Sequence, residues 1–285
     1  MSKVVAVILG IIVILAILVI LVPTIANKFF DQKVNKEINN LFASNTEPKS
    51  KAIQVSDLKT LPKNVQKWLK YCKVIGKEKI NTVRLQQEAE MRLERDKPWM
   101  PVKAEQYFTT DNPGFIWKAD IKVAPFFHIA GRDKYYKGKG HMLIKLMSLF
   151  TVADSKGKEM DQGTLLRFLA ESVWFPTAAL SDYIEWEEIN SRSAKATMSY
   201  GGITASGVFK FNDKGEVINF SAERYKEEDG NYSLKIWTIN MEKYKEFNGI
   251  KIPTQGEVTW ELDEGDFTWF KFEIVDIDNN KPIIY

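Results

Sequence analysis

The sequence predicts an α+β, mainly β fold: a long curved antiparallel sheet (a half-barrel) with a central helix hairpin, preceded by one transmembrane helix. Three observations carry that reading. Beyond residue 80, apolar and polar residues alternate with period two over most of the chain, the mark of strands with one wet face. The segments between them are short turns such as Asn212-Asp213-Lys214-Gly215, Asp229-Gly230 and Asn248-Gly249, with no room for the crossover helices that parallel strands need. Residues 4–22 form an unbroken run of 19 apolar or glycine residues between Lys3 and Pro23.

The run comes first in the chain. At ~1.5 Å per residue it is roughly 28 Å long, close to the hydrocarbon thickness of a bilayer. It exceeds the ~7–15 apolar residues of a secretory signal, although Thr24-Ile25-Ala26 resembles a small-x-small cleavage site. Residues 1–26 are therefore read as a retained transmembrane signal-anchor, with the lipid bilayer as partner through residues 4–22; a cleaved signal peptide is the competing reading. Lys28, Lys33 and Lys36 follow the run and only Lys3 precedes it, which taken alone favours a cytoplasmic domain. Large domains translocate largely regardless of such charges, and one cysteine suits an oxidising space. The expected location is the cell membrane, single-pass, with the soluble domain on the outer side.

Residues 27–60 read as a stalk or linker. Residues 27–42 suit a polar helix continuing from the anchor, and Ser44-Asn45-Thr46-Glu47-Pro48-Lys49-Ser50-Lys51 is rich in breakers. Its lysines suit anionic head groups; a soluble tether fits equally well.

Residues 61–285 read as a single antiparallel β-rich domain. Leu61, Val65, Trp68, Leu69 and Cys72 recur at helical spacing, which predicts a helix over 62–73 with Cys72 as a small buried hydrophobe rather than a nucleophile. Val83, Leu85, Gln87, Ala89, Met91 and Leu93 then alternate with polar residues, as do Phe115, Trp117, Ala119, Ile121 and Val123. Segments 127–130, 133–136 and 142–153 read as further strands. Asp161 is the expected N-cap of a helix over 164–173; Phe175-Pro176 breaks it, and a second turn completes a hairpin over 164–180. Strands at 184–186, 194–200, 203–211, 218–224, 232–239, 256–262 and 267–277 follow. Helices laid across the concave face of such a sheet leave an apolar interior that either holds a ligand or is filled by side chains.

Composition narrows the function. From residue 52 onward, 34 basic residues face 34 acidic ones, so no phosphate-tracking surface and no nucleic-acid partner are expected. One cysteine excludes an internal disulfide and a multi-cysteine zinc site, and two histidines exclude a histidine-rich centre. His128 and His141 with Asp133 between them lack ligand spacing. No nucleophile elbow, zinc-protease helix or dinucleotide fingerprint occurs; no catalytic residue, metal or cofactor is assigned, and a non-enzymatic role is expected.

Six residues stand out as ligand-binding candidates. Arg167, Glu171 and Trp174 fall at i, i+4 and i+7 on one helical stripe, suited to the mouth of a cavity: the charged pair for a polar head, the ring over a chain. An intrahelical ion pair beside a core tryptophan is the plainer account. Strand parity puts Gln106 inside with Ala104 and Phe108, and Arg224 inside with Phe220 and Ala222; inward polar groups must find partners. Trp117, with Trp186, Trp237, Trp260 and Trp269, is a large strand ring that either fills or rims the interior.

Leu61-Pro62-Lys63-Asn64-Val65-Gln66-Lys67-Trp68-Leu69, Ala104-Glu105-Gln106-Tyr107-Phe108, Pro113-Gly114-Phe115-Ile116-Trp117, Gly131-Arg132-Asp133 and above all Leu165-Leu166-Arg167-Phe168-Leu169-Ala170-Glu171-Ser172-Val173-Trp174-Phe175-Pro176-Thr177-Ala178 carry a resemblance. Over residues 55–280 the chain resembles an uncharacterised bacterial family, a domain of unknown function often preceded by membrane helices. That resemblance implies no activity. In element order the chain is also similar to the lipoprotein-carrier half-barrels that bind acyl chains, which is analogy. The first function reading is a membrane-anchored domain binding a lipid or other apolar ligand. The alternative is a structural or assembly module of the cell envelope that binds a partner protein. A hydrolase using carboxylates such as Glu171 or Asp133 is third.

Overall fold

The period-two segments all join one sheet. The computed structural model describes residues 3–45, 52–125 and 127–285. In chain order the elements are α1 (Lys3–Ala43), α2 (Lys63–Tyr71), β1 (Thr82–Met91), β2 (Met100–Thr109), β3 (Gly114–Ala124), β4 (Phe127–Tyr136), β5 (Lys139–Leu146), β6 (Phe150–Ser155) and α3 (Lys158–Glu171). Short helical turns at Ser172–Trp174 and Pro176–Leu180 lead to β7 (Ile184–Asn190), β8 (Ser193–Tyr200), β9 (Ile203–Phe211), β10 (Val217–Glu228), β11 (Asn231–Phe247), β12 (Ile250–Glu261) and β13 (Phe267–Asn279). The sheet order is β6-β5-β4-β3-β2-β1-β13-β12-β11-β10-β9-β8-β7. Every pairing is antiparallel. Two meandering wings thus meet at a β1–β13 seam, and the chain crosses from edge strand β6 to edge strand β7 through α3, which lies on the concave face. The fold is a mainly β, curled antiparallel half-barrel with a helix inside.

Several expected boundaries move. β4 is one strand, because Gly131 and Arg132 keep register with both β3 and β5. Segment 142–153 is divided by a turn in which Met147 and Ser148 take φ of 53° and 58°. β2 lacks a clean alternation because its last four residues are all buried; helix α1 covers its outer face. The central helix begins six residues earlier than its apolar stripe, with Gly157 at the N-cap and a φ of 122°. Asp161 is therefore not the cap. It sits in the first turn, where its carboxylate accepts from the Gly140 N–H at 2.7 Å and from Lys139 Nζ at 2.9 Å, tying α3 to β5.

The amino-terminal region also differs from a tether. Helix α1 is continuous through Pro23, and its second half lies on the outer face of the sheet. Phe30, Val34, Ile38, Leu41 and Phe42 are buried there against Tyr107, Ile116, Ala130 and Leu143. Glu37 pairs with Arg132 at 3.1 Å and Lys134 at 3.0 Å. Asn27 accepts from Ser148 Oγ at 2.9 Å, beside the β5–β6 turn. An i, i+4 apolar stripe drives this docking, so the region expected as a stalk is a strap held on the domain; the linker residues 46–51 lie outside the described residues. The backbone of 4–22 is helical, but the side chains at 6, 10 and 12–20 lie outside the described residues. Among the described residues no helix is long and apolar enough to cross a membrane.

The concave interior is filled at one end. Trp68 of α2 packs on Trp186, Phe209 and Phe211, with Cys72 fully buried at the C-cap of the same helix. In the middle, Phe108 meets Phe115, Phe168 and Phe175. At the other end the packing opens.

Candidate ligand-binding cavity

That opening is a cavity of about 200 Å³ between α3 with its following turn and the concave faces of both wings. It exceeds the ~150 Å³ of an apolar cavity that stays dry and accepts benzene and falls short of the ~300 Å³ at which drug-sized pockets begin. A medium-length alkyl chain, or the end of a longer one, fits that volume. A larger groove of about 720 Å³ includes Glu88, Glu90, Lys103, Glu257, Lys271 and Glu273. Its Lys271–Glu257 pair at 3.0 Å is half exposed, as expected of a solvated strand face.

The cavity wall follows from register. Leu85 opposes Gln106, Gln106 opposes Trp117, Trp117 opposes Asp133 and Asp133 opposes Met142, so one cross-strand row from β1 to β5 shares the concave face. Gln87, Met91, Ile121 and Ile144 extend this wall, while Trp237, Ile239, Met241, Val258, Phe270 and Phe272 supply the opposite one. Met91, Met142, Ile144 and Trp269 are only half-buried and form its open side. Three thioethers among rings make an adaptable apolar lining.

One patch of the wall is charged. Arg167 Nη1 donates to Asp133 Oδ2 at 2.6 Å and Nε to Glu171 Oε1 at 2.8 Å. Gln106, 0% exposed, donates to Glu171 Oε2 at 2.7 Å. The guanidinium lies 5.0 Å from the Phe115 ring and 5.2 Å from Trp117, and the Trp117 indole donates to Gln87 at 2.9 Å. Both oxygens of Glu171 are taken and one oxygen of Asp133 is, so this cluster structures the wall. Burial lowers Arg167, but Glu171 and Asp133 outweigh it and hold the guanidinium charged.

Glu171 behaves differently. Burial raises its carboxyl above the ordinary range despite Arg167 and Gln106, and Asp133 adds to the rise. The folded protein keeps a proton there at pH values where the unfolded chain has lost it. Stability from this group is therefore full below the ordinary value of 4.5 and falls as pH rises through the raised one. Glu171→Gln is expected to flatten that part of the stability profile, measured from urea midpoints between about pH 4 and 7. An unchanged slope would count against the burial account.

Of the six sequence candidates, Trp117, Arg167, Glu171, Trp174 and Arg224 line this one cavity, and Gln106 supports it from behind through Glu171. Sequence reasoning did not join Asp133 to Arg167, and it did not single out Gln87, Met91, Met142 or Met241. Asp133 was hidden by the apparent break in β4. The methionines share the inward parity of Gln106 and Arg224, a signal that was present. His141 lies away from the cavity, between Arg132 at 3.0 Å and Asp154 at 2.8 Å, and His128 contacts Ser148. Among the described residues no group of three or more such side chains is placed to hold a metal ion.

Residues 51–272 match the model of a family of unknown function (DUF6544), and the chain belongs to that family. A search of the curated proteins gave no match. Among solved structures, the chain is similar to a putative outer membrane lipoprotein-sorting protein domain from Vibrio parahaemolyticus, at 8% identity and a TM-score of 0.42, covering 72% of this chain and 87% of the other. It is also similar to a LolA-superfamily protein from Nitrosomonas europaea, at 9% identity and TM-score 0.44, covering 76% and 94%. A third likeness is to a DUF1329 family protein from Desulfovibrio piger, at 11% identity and TM-score 0.36, covering 76% and 92%.

Proposed function

We propose that this member of a family of unknown function binds the apolar chain of a lipid or similar amphiphile in the cavity between its sheet and α3, and that it does so without catalysis. The observation that carries the reading is the cavity itself: a partly open, largely apolar space lined by both wings, left in an otherwise filled interior. We further propose that residues 4–22 hold the domain at a bilayer, on its outer side. The docking of Asn27 beside Ser148 supports this, because the apolar run then leaves the domain at the β5–β6 turn. Exposed Val123, Phe127, Phe150 and Val152 lie on the neighbouring strand ends. Protease shaving of intact cells tests the side: protection of the domain until lysis overturns it. Those same exposed residues also favour the second reading, an envelope assembly module that docks a partner protein. Crosslinking in cells that traps protein and no lipid would select it.

A cavity-filling substitution tests the main reading. A Cβ on Gly131 meets Trp117 at 3.4 Å and Ala119 and Ile121 at 3.9 Å, ordinary contacts, and replacing glycine within a strand relieves its entropic cost. Gly131→Leu is expected to abolish binding of a medium-chain lipid with thermal stability kept or raised. Undiminished binding by that variant would place the ligand elsewhere.

A further inference from the structure

The cavity holds two cations, and only one is directly bonded to a carboxylate. Arg167 is shared by two carboxylates at 2.6 and 2.8 Å. Arg224 is half-buried on β10 and lines the same space, and its guanidinium has no hydrogen bond and no ion pair with any described residue. Its guanidinium lies 4.6 Å from the Trp237 ring centre and 6.0 Å from that of Trp260. Behind it is Gly163 of α3, where a Cβ would come within 3.3 Å of Arg224 Nε; the helix leaves the guanidinium its space by carrying no side chain there.

The ring under Arg224 is also incompletely satisfied. Trp237 is 3% exposed, and its indole N–H is buried with no acceptor. A buried donor without an acceptor is costly and uncommon in folded proteins. The Trp174 and Trp269 indoles on the same cavity also lack acceptors; that of Trp237 is the one on the ring beneath the Arg224 guanidinium. Burial lowers Arg224 to about 10, with repulsion from Arg167 adding to the shift and the Asp133 and Glu171 carboxylates opposing it from beyond bonding distance, so it remains cationic at neutral pH. The Trp237 ring holds the guanidinium in place from one side, and the guanidinium's N–H fork matches a carboxylate or phosphate.

We propose that Arg224, with the neighbouring Trp237 indole N–H, is an anion site, and that the ligand of this cavity is an anionic amphiphile whose carboxylate or phosphate is bound there. The inference rests on the cavity's being a binding site and adds the chemical class of what it binds. The chain occupies the Met91–Met142–Met241 side, and the anionic group lies at the cavity face of the Arg224 guanidinium.

The test compares decanoate, decyl phosphate and 1-decanol by titration calorimetry on the full chain, kept soluble in a fluorinated surfactant that does not compete for apolar cavities. Both anions are expected to bind at least about tenfold more tightly than the alcohol. Their ratio tells a carboxylate ligand from a phosphate one. Arg224→Gln is expected to reduce both anions to the level of decanol and leave decanol unchanged, and Arg224→Lys to restore part of the difference. If decanol binds as tightly as the anions, or if Arg224→Gln weakens all three alike, the anion site is overturned while the apolar cavity stands. If none of the three binds the unaltered protein, both the cavity reading and this inference fall.

Discussion

Replacing Arg167 with methionine is expected to cost about 3–5 kcal/mol at neutral pH, because it leaves two carboxyl groups in an apolar wall without their shared cation. Asp133 and Glu171 bond the guanidinium at 2.6 and 2.8 Å, and Arg167 also covers the Phe115 and Trp117 rings. The loss is read from the urea midpoint at constant m. Adding Asp133→Asn and Glu171→Gln to the same chain should recover most of it, since replacing a whole buried ionic group by neutral side chains is often close to neutral. Acid should help the single variant: Glu171, already raised by burial, protonates as pH falls and removes one of the stranded charges. A deficit under about 1 kcal/mol, or one that does not move with pH, would show that solvent screens the cluster.

The second large effect concerns the strap. Ile38 is 0% exposed between α1 and the outer face of the sheet, so Ile38→Ala is expected to cost about 2–5 kcal/mol. If α1 were a tether, the same change would fall within the ~0.5 kcal/mol typical of surface substitutions. Limited trypsin digestion gives an independent readout, because Lys33 and Lys36 are exposed on α1 but become cleavable only when the helix loosens and its backbone unwinds. Cleavage there should precede cleavage anywhere in the sheet. Equal rates in the variant and the unaltered chain would mean that the helix stays docked by its remaining contacts, among them the Glu37 ion pairs and the buried Phe30, Val34, Leu41 and Phe42.

Much of this architecture was legible because one face of each strand is buried and the other wet. That single fact assigns Gln106 and Arg224 to the interior, and the helical period assigns Arg167, Glu171 and Trp174 to one stripe. Legibility failed where both faces are covered. β2 loses its alternation under α1, and the strap itself was read by its polar residues, although Phe30, Val34, Ile38 and Leu41 already marked a stripe. It failed again at glycine. Gly131 looked like the end of a strand, and the apparent break separated Asp133 from the row that carries it toward Arg167. Pairing between polar groups distant in sequence is not encoded by local period at all. Gln106 and Glu171 meet only because α3 returns across the sheet.

The β1–β13 seam has a kinetic consequence. Val83 pairs with Asn279, a contact spanning about two hundred residues, while nearly every other ladder is a local hairpin. Loop-closure entropy makes such a contact slow to form and dependent on prior assembly of the rest. Each wing can zip by itself, yet the cavity draws Trp117 and Met142 from one and Trp237 and Phe270 from the other. Binding competence should therefore emerge in the last and slowest refolding phase, after most backbone hydrogen bonding is complete. A greasy guest present during refolding would trap the joined state rather than template it.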